Sequence, residues 1–73
     1  MEIGRKDLRI SLAAARVNAG LTQKEAAKVL GISQKTLFNY EKGDNIPNWE
    51  MVKRISNIYG IPDEIIFFGK RND

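Results

Sequence analysis

Leu8, Leu12, Ala15 and Ala19 recur at spacings of three and four. That is the period of one helix face, and it predicts a first helix over about Lys6–Ala19, closed by Gly20 in a left-handed conformation. Thr22 follows, with Glu25 three residues on. Thr-x-x-Glu is a capping box, in which hydroxyl and carboxylate each satisfy an otherwise free backbone N–H. It predicts a second helix over about Gln23–Leu30, with Ala26, Ala27 and Leu30 inward and small enough for another helix to approach closely. Gly31 stops it. Ser33 caps a third helix, about Gln34–Lys42, with Leu37 and Tyr40 inward and Gly43 at its end. Asp44–Pro47 reads as a loop. Trp49, Val52, Ile55 and Tyr59 share a stripe on a fourth helix, about Asn48–Tyr59, closed by Gly60. Pro62 suits the first turn of a last short helix, about Pro62–Phe68, where Asp63 and Glu64 complement the helix dipole. No strand pattern, internal repeat or low-complexity segment is visible. The expectation is an all-α, compact five-helix bundle. It forms a single domain over residues 1–73, with its core at about 6–68 and a frayed tail at 69–73.

Composition narrows the chemistry. The chain has 73 residues with no cysteine and no histidine. That removes disulfides, thiolate metal sites, the usual zinc ligand and the usual general base. No apolar run approaches the length needed to span a bilayer, and the opening MEIGRKDLRI has no signal-peptide stretch. A cytoplasmic protein is expected, with no metal, cofactor or membrane partner. Twelve Lys and Arg against nine Asp and Glu give a net charge of +3, a mild tilt toward an anionic partner. Between Thr22 and Lys42 the lysines 24, 28, 35 and 42 face only Glu25 and Glu41. The middle of the chain is therefore the better candidate for an anion-facing surface.

Two short helices joined by a tight glycine-containing turn make a helix-turn-helix. Here the unit is Thr22–Leu30, the turn Gly31-Ile32-Ser33, and Gln34–Lys42, with Ile32 plugging the angle. The outer side of the third helix carries Gln34, Lys35, Phe38, Asn39 and Lys42. Gln and Asn pair in two ways with adenine, Lys donates to guanine, and an apolar ring touches the thymine methyl. For Phe38 three readings stand open: contact with thymine or sugar, packing against a neighbouring helix, or a protein interface. Gln34, Lys35 and Asn39 are either base readers or an ordinary polar face. Thr22 and Gln23, at a helix N-terminus, are candidates to clamp phosphate, as are Lys42 and Asn45 at the far end of the third helix.

These residues carry a resemblance. Arg16-x-x-x-Gly20-Leu21-Thr22-Gln23, then Ala27-x-x-Leu30-Gly31-Ile32-Ser33-Gln34, then Tyr40-Glu41-Lys42-Gly43 and Pro47 resemble the lambda-repressor-like family. This is the Cro/XRE-type helix-turn-helix group of phage and bacterial regulators. Trp49, Val52, Ile55, Tyr59-Gly60-Ile61 and Ile66 fit its pattern too, so the resemblance runs from about Leu8 to Phe68. It implies that Gln34, Lys35, Phe38 and Asn39 face base edges, and that Thr22, Gln23, Ser33 and Lys42 touch phosphates. It also implies a structural ion pair between Arg16 and Glu41. Ser56, where the family usually has alanine, and Asp63, often apolar, depart from the pattern. Larger members carry a second, oligomerising domain. In this chain a dimer would come from the domain itself or from the tail, with Ile65, Phe67 and Phe68 as a candidate patch or, equally, as core.

The function expected is a sequence-specific transcriptional regulator, a phage or prophage-type repressor. It would bind double-stranded DNA as a homodimer on an inverted repeat. The alternative is a protein-interaction module of the same fold, such as an antitoxin or anti-repressor, using Phe38 and the Ile65–Phe68 cluster. An enzyme is not expected: His and Cys are absent, and no glycine-rich loop follows a strand.

Overall fold

The computed structural model describes residues 8–70. Four α-helices follow one another: α1 (Leu12–Asn18), α2 (Gln23–Leu30), α3 (Gln34–Lys42) and α4 (Trp49–Tyr59). A two-residue strand β1 (Ile10–Ser11) precedes them. A 3-10 turn (Asp63–Ile65) and a second strand β2 (Ile66–Phe67) come after. The strands pair in parallel, Ile10 opposite Ile66 and Ser11 opposite Phe67.

The middle of the domain is written in local chemistry. Thr22 and Glu25 form both bonds of the capping box. Ser33 Oγ accepts from the Thr36 N–H at 3.0 Å, and Asn48 Oδ1 from the Met51 N–H at 2.8 Å. Gly31 ends α2 in the left-handed region at φ 76°. That lets the Ile32 N–H reach back to the Ala27 carbonyl at 3.0 Å, satisfying an end-of-helix acceptor and turning the chain into α3. The core gathers Leu12, Ala15, Ala26, Ala27, Leu30, Leu37, Ile55, Tyr59, Ile61 and Ile66. Ile32 packs on it from the turn, half-buried. Burial of a leucine such as Leu30 or Leu37 contributes about 2 kcal/mol. That packing fixes the angle between α2 and α3.

The ends of the chain differ from the five-helix expectation. The first helix begins at Leu12 rather than near Lys6, because the Ser11 side chain caps it, accepting from the Ala14 N–H at 3.0 Å. Residues 10 and 11 are extended to pair with β2. Leu8 is exposed, off the core stripe assigned to it, and Lys6 lies outside the described residues. The expected last helix is only the turn Asp63–Ile65, after which Ile66 is extended at φ −102°, ψ 131°. The β-branched and aromatic run Ile65–Phe68 suits a strand better than a helix. The architecture is thus four helices and a small strand pair.

Trp49 also departs from expectation: it is 65% exposed. At roughly 100° per residue it sits about 90° round the helix from the middle of the buried line of Val52, Ile55 and Tyr59. The Lys53 ammonium lies over its ring, 4.6 Å from the centroid. The two residues that break the family pattern bind the end of α4. Ser56 Oγ donates to the Ile61 carbonyl at 2.7 Å, and Asp63 pairs with Lys53 at 3.3 Å. Gly69 and Lys70, expected to begin a tail, lie instead against the turn after α3: a Cβ on Gly43 would meet the Gly69 carbonyl carbon at 2.7 Å.

Candidate nucleic-acid interface

Leu37 is buried and Tyr40 half-buried on the inner side of α3. Its outer side holds Gln34, Lys35 and Lys42, all exposed, Asn39, half-buried, and Phe38, 42% exposed. Phe38 is thus partly covered and partly open. Its ring carries the Lys42 ammonium, 5.2 Å from the centroid.

Beneath this face runs a chain of polar contacts. Arg16 Nε donates to Glu41 Oε2 at 2.7 Å and Nη2 to Oε1 at 3.3 Å, while Nη1 donates to the Leu21 carbonyl at 2.9 Å. The pair is largely buried, with side chains 15% and 9% exposed. The bond to Glu41 raises the Arg16 pKa further above its ordinary range, so the guanidinium stays charged. Gln23 Nε2 donates to the same carboxylate at 3.1 Å, and Gln34 Nε2 donates to Gln23 Oε1 at 3.4 Å. A core ion pair is thereby connected, through one glutamine, to the first outward residue of α3. Sequence reasoning placed Gln23 and Gln34 at the site but missed this link, which depends on how closely α2 and α3 approach.

Tyr59 lies near the same pair. Its hydroxyl is buried with no hydrogen-bond partner among the described residues, and burial pushes its pKa up to about 12.

The expected phosphate contacts fall into two groups. Thr22 Oγ1 accepts from the Glu25 N–H at 3.1 Å, which uses a lone pair and leaves the hydroxyl proton to donate. Ser33 Oγ donates to Thr36 Oγ1 at 2.8 Å, so its proton is committed inside the helix. At the other end of α3, Lys42 pairs with Asp44 at 3.3 Å, and Asn45 is exposed. Asp44 also takes Lys70 at 3.2 Å. Lys70 first and Lys42 second hold the Asp44 carboxyl below its ordinary range. No local signal in the sequence pointed to Lys70.

Of the candidate dimer patch, Ile65 is 44% exposed, with Ile58 exposed too. Phe67 and Phe68 are half-buried. Arg9 sits over the Phe67 ring at 4.5 Å, and Phe68 packs on the core. Among the described residues no group of His, Cys, Asp and Glu could hold a metal ion. No helix of the described residues is long and apolar enough to cross a membrane.

Comparison with known proteins gives the same picture. The chain is 38% identical over 47 residues to the cryptic phage CTXphi transcriptional repressor RstR of Vibrio cholerae, covering 64% of this chain and 42% of the relative. It is 38% identical over 52 residues to the HTH-type transcriptional regulator ImmR of Bacillus subtilis (strain 168), covering 71% and 41%. The chain therefore spans about two fifths of the length of these relatives. No solved structure matches. The helix-turn-helix family profile matches residues 12–66, from the first residue of α1 into β2, and the chain belongs to the helix-turn-helix family, in its Cro/C1 type.

Proposed function

We propose that this chain is a sequence-specific, DNA-binding transcriptional regulator of the phage-repressor kind, acting in the cytoplasm as a homodimer on an inverted repeat. The observation that carries the reading is the outer side of α3: open among the described residues at Gln34, Lys35 and Lys42, and begun by a glutamine whose amide is already held. Gln34 gives one N–H to Gln23. Its second N–H and its carbonyl are left to meet N7 and N6 of an adenine in the major groove. Gln23 likewise gives one N–H to Glu41 and keeps the other for a phosphate. Lys35, Phe38 and Asn39 extend the base-reading side; Thr22, Lys42 and Asn45 flank it on the backbone, and Ser33, whose hydroxyl proton goes to Thr36, would meet a phosphate through its backbone N–H. The printed names of the relatives, a transcriptional repressor and a transcriptional regulator, support the same reading. Dimerisation through Ile65, with Phe67 and Phe68 beside it, would set two copies of α3 about 34 Å apart, in successive major grooves.

Selection of bound duplexes from a random pool tests this. The expected product is an enriched palindrome. Gln34→Ala and Asn39→Ala should relax base preference, costing about 1–3 kcal/mol on the selected site and little on random duplex. Gln23→Ala should weaken binding to all sequences. Because Gln23 also holds Gln34, it should blunt the adenine preference as well. Equal losses on selected and random duplex for the α3 changes would sink the assignment of readers. A stable protein complex with no duplex binding at low salt would favour the interaction-module alternative.

A further inference from the structure

We infer that Lys70, after β2, joins Lys42 in a two-lysine clamp on the DNA backbone, with Asp44 as their shared anchor. This rests on the DNA-binding reading above and extends it to a segment that the helix-turn-helix does not contain.

A run of contacts leads from the outer side of α3 to Lys70. The Lys42 ammonium lies over the Phe38 ring and also reaches Asp44 Oδ2 at 3.3 Å. The other oxygen of that carboxylate, Oδ1, takes Lys70 at 3.2 Å. Each ammonium has three donors, so each keeps two after meeting Asp44. Two cations against one anion leave a net positive charge, and both lysines remain largely open, 52% and 69% exposed. They border one open cleft of about 370 Å³, whose wall also includes Ser11, Leu12, Phe67, Gly69 and Glu41, the last already paired with Arg16.

The position of Lys70 is set by packing rather than by the ion pair alone. Gly43 is left-handed, at φ 84°, and has no side chain to hold Gly69 away. Ile46 covers the other side of Gly69, where a Cβ would meet its Cδ1 at 3.4 Å. The segment after β2 is thus seated on the cap of the helix that enters the groove. A cation delivered there faces the strand that Lys42 faces.

The test is a duplex titration of the whole chain at several salt concentrations, on selected and on random DNA. Lys70→Ala should weaken both duplexes by the same factor. Loss of one phosphate contact lowers the salt slope by about 0.9. Between 50 and 200 mM salt the variant should therefore lose about threefold less affinity than the wild type. In an Asp44→Asn background, Lys70→Ala should cost less affinity on both duplexes than it does in the wild type, because Lys70 without its anchor is no longer held against the backbone. Lys70→Ala matching the wild type in affinity and slope, while the wild type binds, overturns the clamp alone. A loss for Lys70→Ala confined to the selected duplex does the same. An undiminished Lys70→Ala loss in the Asp44→Asn background overturns the shared anchor. A wild type that binds no duplex at low salt overturns the DNA-binding reading and the clamp together.

Discussion

The last turn of α3 carries ionic contacts of opposite kinds on its inner and outer sides. Beneath the helix, Arg16 and Glu41 meet at 2.7 Å with little solvent about them. At its C-terminal end, Lys42, Asp44 and Lys70 meet at 3.3 and 3.2 Å in the open. Desolvation makes the first pair expensive to break, since either partner left alone is a buried charge. Water screens the second, so it adds little to folding and its cations stay available to an outside anion. Inner charges hold the helix in place and outer charges are kept for a partner.

The largest effect expected from this contrast is at Arg16. Arg16→Met leaves Glu41 without its partner and should cost about 3 kcal/mol or more, read from urea unfolding. Replacing both residues by apolar ones should cost less than replacing one. A double variant worse than either single would show that the pair is worth more than its desolvation.

The next effect is set by pH on the buried side. Tyr59 has a folded pKa of about 12 against an ordinary 10.0. A raised pKa means stability is fully present below pH 10 and falls as pH rises toward 12, because the unfolded chain releases the proton first. The slope is roughly 1.4 kcal/mol per pH unit. Tyr59→Phe should flatten that slope relative to the wild type. At neutral pH it should leave stability within about 1 kcal/mol, since the hydroxyl it removes has no partner. An unaltered alkaline slope in the variant would assign the loss to other groups.

The smallest effect is on the exposed side. Lys70→Ala should leave the urea midpoint where it was, within error, while shifting DNA affinity as set out above. A midpoint shift as large as that of Arg16→Met would erase the distinction between the inner and outer contacts.

The parts of this molecule that were legible in the sequence are those whose cause lies within one or two turns of the chain. Thr22 with Glu25, Ser33 before Gln34, and Gly31 and Gly43 at helix ends each act on near neighbours, so α2 and α3 could be bounded from the sequence. The parallel pairing of Ile10 with Ile66 depends on two remote segments meeting, and two residues are too short a strand to leave an alternating pattern. Trp49 was misplaced because an apolar residue near a stripe was counted as on it. At the site, residue types were readable but their connections were not. The bond from Gln34 to Gln23 and the arrival of Lys70 at Asp44 both need the folded geometry.

The β1–β2 clasp closes nearly the whole described chain into one ring. Ring closure on that scale is paid in chain entropy, which two rungs of backbone hydrogen bonds cannot recover unaided. The helices must already be assembled before the clasp can set, so it forms late and opens early. Loosening it together with the packing of Ile66 would release the segment that carries Gly69, while leaving the α2–α3 turn intact.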